Sequence, residues 1–308
     1  MSRDLVVALS GGVGGAKLAL GLSRVVPAGR LMVVANTGDD FTHLGLAVSP
    51  DIDTVTYVLA GLDNPETGWG RRGETWNFMA ALEALGGETW FRLGDGDLAT
   101  HVERMRRLAA GETLGAITAD FARRLGIAAR IVPMSDDPVR TRLDTAEGWL
   151  DLQPYFVRRR AEPAVRAIEY AGAEAARPHP DPLAALGDPD LRAVVICPSN
   201  PLISIGPILA LPGLRQALKA CAAPVVAVSP LVAGQAVKGP TAKMMRELGL
   251  AVSAAAVAEL YRDVIDLFVV DERDPPGPLP VPSIRANTLM RTLADREALA
   301  RIVLEAAR

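Results

Sequence analysis

Four carboxylates stand close together just after a short apolar run. Asp39 and Asp40 lie in a turn-forming cluster that follows Leu31–Ala35, and Asp51 and Asp53 begin the next predicted helix. An apolar, β-branched run of this length predicts a buried strand, and ligands of open parallel sheets bind beyond the carboxyl ends of the strands. Carboxylates gathered there suit Mg²⁺, which is bound by carboxylate oxygens together with the phosphate oxygens of a substrate. Alternatively, Asp51 and Asp53 only interact favourably with the dipole of their helix, and Asp39 and Asp40 only fill a solvated turn.

A glycine-rich loop near the start of the chain offers a second chemical feature. The strand Leu5–Leu9 leads into SGGVGGAK at residues 10–17, and a helix is predicted to follow as far as about Val25. Backbone N–H groups at such a loop, together with the helix dipole, can hold a phosphate. The alternative is a tight turn that only lets the helix approach the sheet.

The loop matches neither standard phosphate-binding motif. The dinucleotide fingerprint needs a third glycine or alanine where this chain has Lys17, and an acidic residue after the second strand, where it has Asn36. A Walker A loop needs Ser or Thr after its lysine, where this chain has Leu18. An NAD-dependent oxidoreductase is therefore disfavoured.

A second dense polar segment is FRLGDGDLATH at residues 91–101. A short aromatic strand is predicted over residues 89–92, and Asp95 or Asp97 is predicted to cap the helix that follows. His101 lies about one turn inside that helix, in register with Asp97. It is either a structural histidine or part of a site.

The elements that must position these residues alternate between strands and helices. Strands are predicted over Leu191–Cys197, Pro224–Val228 and Ile265–Val270, each followed by a polar loop. Ser199 and Asn200 in the first loop offer hydroxyl and amide groups to a base or sugar, or else only form a turn. This repeated pattern predicts an α/β, Rossmann-like fold with a mostly parallel, doubly wound sheet whose carboxyl edge carries the site.

One region departs from that pattern. Between Val139 and Arg160 the hydrophobic period shortens, which is typical of a hairpin or a small sheet. We therefore expect a single domain over residues 1–308 with a smaller α+β subdomain inserted at about residues 134–180.

The composition and the sequence pattern argue against several classes of protein. A net charge of -3 gives no basic footprint for nucleic acid, and no apolar stretch approaches the roughly 20 residues of a membrane span. The first residues lack the features of a signal peptide, and two cysteines, Cys197 and Cys221, make no disulfide framework. We expect a cytoplasmic protein that acts on small molecules, without nucleic-acid or membrane partners, and a homodimer is the common outcome for such sheets.

Six segments of the chain together form a recognisable pattern: SGGVGGAK (10–17), NTGDDFTHLGLAVSPDIDT (36–54), FRLGDGDLATH (91–101), PMSDDPVRT (133–141), CPSNPLISIGPIL (197–209) and SPLVAGQAVKGP (229–240). In these segments the chain resembles the CofD/FbiA family, the 2-phospho-L-lactate or phosphoenolpyruvate transferases of coenzyme F420 biosynthesis. The resemblance extends from residue 5 to about residue 292, in the expected order.

This resemblance implies a Mg²⁺-dependent phosphotransferase that joins a three-carbon acid, linked to guanosine diphosphate, to the deazaflavin Fo. The terminal ribityl hydroxyl of Fo attacks the phosphate that bears the acid, and GMP leaves. Phosphoryl transfer needs mainly positioning and charge neutralisation, which an acidic loop with a metal and a glycine loop would supply. No residue indicates whether the acid is lactyl, enolpyruvyl or glyceryl.

The resemblance also implies roles for individual residues. Asp53 and Arg92 would contact Fo, while Asp39, Asp40 and Asp51 are candidates for binding Mg²⁺. Asp39, Asp40 and Asp53 are the candidate catalytic residues. The guanosine diphosphate part would border Gly11, Gly12, Gly14, Gly15, Ser199 and Asn200.

One position departs from the family pattern, because Gly96 stands where many members have arginine. If that arginine touches phosphate elsewhere, Arg71, Arg72 or Lys238 would have to supply the cation here.

A related branch of the same fold offers the main alternative function. Its members are regulators that bind nucleotide sugars without transferase activity, and they share the early glycine loop. The segments at residues 91–101 and 133–141 favour the transferase.

Overall fold

The structure is a computed structural model that describes residues 4–237 and 239–307. Lys238 and the predicted end of the last helix at Arg308 lie outside the described residues. The strands are β1 Leu5–Ser10, β2 Leu31–Ala35, β3 Phe41–His43, β4 Leu46–Val48, β5 Arg130–Pro133, β6 Arg140–Thr145, β7 Gly148–Asp151, β8 Ala167–Ala171, β9 Leu191–Ile196, β10 Val225–Val228, β11 Leu231–Val232, β12 Gln235–Ala236, β13 Leu267–Asp271 and β14 Ser283–Ala286.

Helices connect many of these strands. They are α1 Gly12–Val25, α2 Pro50–Leu59, α3 Asn77–Ala84, α4 Asp95–Ala109, α5 Leu114–Arg124, α6 Pro180–Leu186, α7 Gly206–Leu209, α8 Leu214–Ala220, α9 Thr241–Glu247, α10 Ala254–Tyr261 and α11 Leu293–Ala306, with π-helical turns at Pro154–Arg158 and Pro201–Ile205.

Seven strands form the central sheet, in the order β14-β13-β10-β9-β1-β2-β5. Each neighbouring pair is parallel. The chain runs outward from β1 through β2 to β5 and then returns to β9 on the other side of β1. The predicted α/β, Rossmann-like fold is confirmed, and the strand order reverses between β1 and β9, which is where such sheets bind ligands.

Alternating side chains of the strands divide the core into two layers. Val6 and Ala8 of β1 pack with buried residues of α1, α2 and α11. Val7 and Leu9 point to the other face and pack with buried residues of α6 to α10. Because both faces are covered, the central strands are apolar throughout, as their sequences indicate.

Residues between β5 and β9 form the small antiparallel sheet β7-β6-β8, where the sequence predicts an insertion. Leu143, Leu152 and Tyr155 of this region belong to the same hydrophobic cluster as Val7 and Leu9 of the central sheet. The small sheet therefore shares one core with the main sheet.

The predicted aromatic strand at residues 89–92 is wrong, since this segment has no strand pairing. Its side chains pack instead on the hairpin of β3 and β4: the ring of Phe91 lies 4.8 Å from that of Phe41, and the ring of Trp90 lies 5.1 Å from that of His43. Ring packing fixes the segment in place of a backbone ladder.

No single helix in the described ranges has the length and apolar character to cross a membrane. One bent pair, Pro201–Leu209 with Leu214–Ala220, meets the criteria by length and composition only.

Candidate functional site

A cavity of about 400 Å³ opens where the strand order reverses, at the carboxyl ends of β1 and β9. Of the residues predicted from the sequence to form the site, it brings seven together. They are Gly11, Gly12, Gly14, Asp39, Asp51, Ser199 and Asn200. Asp40, Asp53, Arg92 and Gly15 do not line it.

Close approach between two loops explains the glycines at the start of α1. A side chain on Gly14 would overlap the carbonyl oxygen of Pro198, and a Cβ on Gly15 would lie 2.5 Å from the hydroxyl oxygens of Ser10 and Ser199. The Gly11 N–H donates to the Ser199 hydroxyl over 3.1 Å. Gly15 thus lies behind the loop and sets its distance from the loop after β9, while the other three glycines face the cavity.

Two buried carboxylates meet at the floor of the cavity. The Asn36 side-chain amide donates to Asp51 over 2.9 Å and to Asp39 over 3.5 Å, and the Gly12 N–H donates to Asp51 over 2.5 Å. Burial raises the pKa of Asp51 to about 6, although hydrogen bonds from Asn36 and Gly12 lower it. Burial, followed by the negative charge of Asp51, raises the pKa of Asp39 well above its ordinary value.

This pair fits a divalent cation, because both carboxylates are buried and neither forms an ion pair with a cationic side chain among the described residues. Mg²⁺ is commonly bound by one or two carboxylates plus substrate phosphates. The described residues contain no group of three or more His, Cys, Asp or Glu side chains placed to hold a metal ion. Phosphate oxygens of a ligand and water molecules would therefore complete the shell around Asp39 and Asp51.

Asp40 is set apart from the pair. It accepts a hydrogen bond from the Ser49 hydroxyl over 2.8 Å and lines a separate cleft of about 140 Å³, together with Arg140. Burial raises the pKa of Asp40 to about 7, even though Ser49 and Arg140 act in the opposite direction.

Asp53 forms a buried ion pair that the sequence does not reveal. Arg104 of α4 donates to both carboxylate oxygens of Asp53, over 3.1 Å from Nη1 to Oδ2 and by a second bond from Nη2 to Oδ1. The His101 ring lies 3.7 Å from Asp53 and 3.3 Å from Asp97, so the predicted register of His101 with Asp97 is confirmed. These charges join α2 to α4.

Arg92 lies outside the cavity and is exposed. Its guanidinium stacks over the Trp76 ring, 4.3 Å from the ring centroid. The contact of Arg92 with Fo stays a prediction.

Near Arg92, helices α3 and α4 each receive their N-terminal cap from a carboxylate at or just before the start of the other helix. Glu74 accepts from the Gly96 and Asp97 N–H groups over 2.7 and 2.8 Å and so caps α4. Asp95 accepts from the Asn77 and Phe78 N–H groups and caps α3 instead. The prediction that Asp95 or Asp97 caps α4 is wrong, since the carboxylate that does so is 20 or more residues away in sequence.

Arg71 and Arg72 are the described cations considered as compensation at Gly96, and Arg71 lies beside this glycine. Its Nη1 donates to the Gly96 carbonyl over 3.0 Å, and a Cβ at Gly96 would lie 3.5 Å from the Arg71 guanidinium carbon. Arg72 pairs with Asp63 over 3.6 Å.

Sequence reasoning missed several residues of the cavity wall. Gln153 donates towards Asp39 over 3.4 Å, and the loop after β14 contributes Thr288, Leu289 and Met290. Neither segment carries a glycine motif or a cluster of charge, so no local signal could have marked them.

The family model described as 2-phospho-L-lactate transferase CofD matches residues 6–303. The chain belongs to the CofD family.

Curated relatives in this family carry two different names. A phosphoenolpyruvate transferase of Streptomyces coelicolor is 41% identical over 98% of this chain and 96% of its own length. A 2-phospho-L-lactate transferase of Methanosarcina mazei is 39% identical over 98% of this chain and 100% of its own length. Because the chain is similarly identical to proteins of both names, these identities do not decide between the two three-carbon acids.

A solved structure shares the CofD-like fold at low sequence identity. A UPF0052 family protein of Bacillus halodurans superposes with a TM-score of 0.65 over 99% of both chains, at 13% identity. This likeness concerns the fold alone.

Proposed function

We propose that the protein transfers 2-phospholactyl or enolpyruvyl phosphate from a guanosine diphosphate-linked donor to the terminal ribityl hydroxyl of Fo, in coenzyme F420 biosynthesis. GMP is the second product. Family membership supports this proposal. The geometric observation behind it is that the Asp39–Asp51 carboxylate pair and the glycine loop line one cavity at the reversal of strand order.

The glycine loop is our candidate site for the diphosphate. Gly11, Gly12 and Gly14 line the cavity at the start of α1, where N–H groups and the helix dipole favour anions. Ser199 and Asn200 would border the guanosine. The side-chain nitrogen of Asn200 is buried without a partner in the described part of the chain, so it is a donor available to a base carbonyl or a ribose oxygen.

The carboxylate pair is our candidate site for Mg²⁺, held by Asp39 and Asp51 together with donor phosphate oxygens. Bound there, the ion would neutralise the diphosphate and the charge that develops on GMP. Asp39 would also orient the attacking hydroxyl. The hydroxyl oxygen bonds to phosphorus, the bond from phosphorus to the GMP oxygen breaks, and the hydroxyl proton leaves towards Asp39.

Two sets of residues are our candidates for binding Fo. Asp53 and Arg92 are the contacts that the family resemblance implies. Trp69 and Phe156 line the cavity with 49% and 41% of their surfaces exposed, and aromatic faces of this kind stack on planar rings.

Mass spectrometry of the products tests the proposal. Fo is incubated with each candidate donor, and we expect transfer with Mg²⁺, its loss in EDTA and its recovery on adding Mg²⁺. Asp51→Asn should reduce transfer, whereas Asp151→Asn on the exposed small sheet should not. Full turnover in EDTA would contradict the metal site, and no product from any donor would contradict the proposed function.

A further inference from the structure

A smaller side pocket of about 100 Å³ adjoins the main cavity. It lies between α1, α2, the loop at residues 63–70 and the start of α11. Val13, Lys17, Gly68 and Trp69 line both spaces, so a ligand in the main cavity can extend into the side pocket.

Positive charge dominates the side pocket. Lys17, Arg291 and Arg296 line it, against one carboxylate, Asp63, which already lies 3.6 Å from Arg72. Neither Arg291 nor Arg296 forms an ion pair with any residue in the described ranges 4–237 and 239–307.

Arg296 supplies a separate indication that a ligand binds. Its Nε is buried and has no hydrogen-bond partner among the described residues. A buried donor of a charged group is costly to leave unsatisfied, and guanidinium groups pair with carboxylates and phosphates. Arg296 lines the side pocket, so an anion bound there would pair with its guanidinium group.

Helical spacing sets the distance of the side pocket from the reacting groups. Thr54 lies three residues after Asp51 on α2, and Lys17 lies three residues after Gly14 on α1. Thr54 therefore lies about one turn, roughly 5 Å along the helix, from Asp51, and Lys17 lies as far from Gly14. A group a few bonds from the reacting phosphorus would reach this place.

We propose that the side pocket binds the three-carbon acid of the donor, with Arg291 and Arg296 pairing with its carboxylate. This inference rests on the proposed function. The volume suits a three-carbon acid and is too small for a guanosine or a three-ring deazaflavin. Val13, Val58 and Trp69 give the carbon part an apolar wall, so these residues are where lactyl and enolpyruvyl donors would be distinguished.

Calorimetric titration without Fo tests the inference independently of turnover. The affinity of the guanosine diphosphate-linked donor is compared with that of guanosine diphosphate in the wild type and in Arg296→Gln and Arg291→Gln. We expect each variant to weaken donor binding by about tenfold or more, as for a lost charge-assisted hydrogen bond, and to leave guanosine diphosphate binding within about twofold. Arg296→Lys should retain part of the affinity, because it keeps the charge but not the planar fork.

Arg301→Gln is the matched control, since Arg301 lies on the same helix, exposed and paired with Glu297 over 3.1 Å. It should bind both ligands as the wild type does. Equal donor affinity in all variants would overturn the inference, and so would an equal loss of guanosine diphosphate binding, which would assign the side pocket to the nucleotide. A wild type that binds the donor through these arginines but transfers nothing to Fo would refute the proposed function alone.

Discussion

Replacement of Asp53 by alanine is expected to destabilise the protein, because it removes the partner of a buried cation. Arg104 is 1% exposed and Asp53 is 6% exposed. Burial lowers the pKa of the Arg104 guanidinium, but the charge and hydrogen bonds of Asp53 outweigh this and raise it. The interaction of the two side chains therefore keeps the cation stable in the interior.

The magnitude follows from that burial. Removing one partner of a buried pair costs about 3–5 kcal/mol, which is a large part of a typical total stability of about 5–15 kcal/mol. An exposed pair such as Arg301–Glu297 contributes roughly 0–1 kcal/mol. Asp53→Ala should thus lose far more stability than Glu297→Ala.

Urea unfolding followed by circular dichroism measures the difference, with Glu297→Ala as the control. The double variant Asp53→Ala/Arg104→Met should recover most of the lost stability, because both charges are then gone. Fo affinity is measured by fluorescence on each variant that remains folded. A loss below about 1 kcal/mol in Asp53→Ala would refute this reasoning, and unchanged Fo affinity in the folded variant would remove Asp53 from the acceptor site.

The remaining predictions concern the other site residues. Arg92→Ala should weaken Fo binding. The thermal midpoint of unfolding should barely change, because an exposed cation–π contact contributes only about 0.5–1 kcal/mol. Unchanged Fo affinity would remove Arg92 from the acceptor site. Gly14→Ala should abolish nucleotide binding, since its Cβ would overlap the Pro198 carbonyl oxygen. Gly12→Ala meets open space, so it should lower the folding stability by only about 1 kcal/mol, because of the positive φ at this position. Equal calorimetric affinities of the two variants for guanosine diphosphate would contradict this prediction. The pKa of Asp40 is raised to about 7 in the folded state, so the folded protein still binds a proton that the unfolded chain has released above about pH 4. The stability of the metal-free protein should therefore fall as the pH rises to about 7. Asp40→Asn should make urea midpoints less dependent on pH over that range, and an unchanged slope would contradict the raised pKa.

The sequence determined the architecture of the protein and the edge of the sheet at which the cavity opens. Apolar runs of five or six residues, each followed by a polar loop, predict parallel strands, and the structure confirms them in β1, β2, β9, β10 and β13. The glycine loop also follows from local sequence, because positions next to a strand end are brought to one edge by the topology itself.

Only the tertiary structure decided which acidic residues act together. Asp39 and Asp51 meet through Asn36, whereas Asp40 turns towards Ser49 and Asp53 pairs with Arg104, 51 residues away. The side pocket likewise joins α1 to the start of α11, which are distant in sequence. Spacing along a chain fixes which residues share a strand end or a helix face, but the partner of a buried charge depends on which other element packs against it.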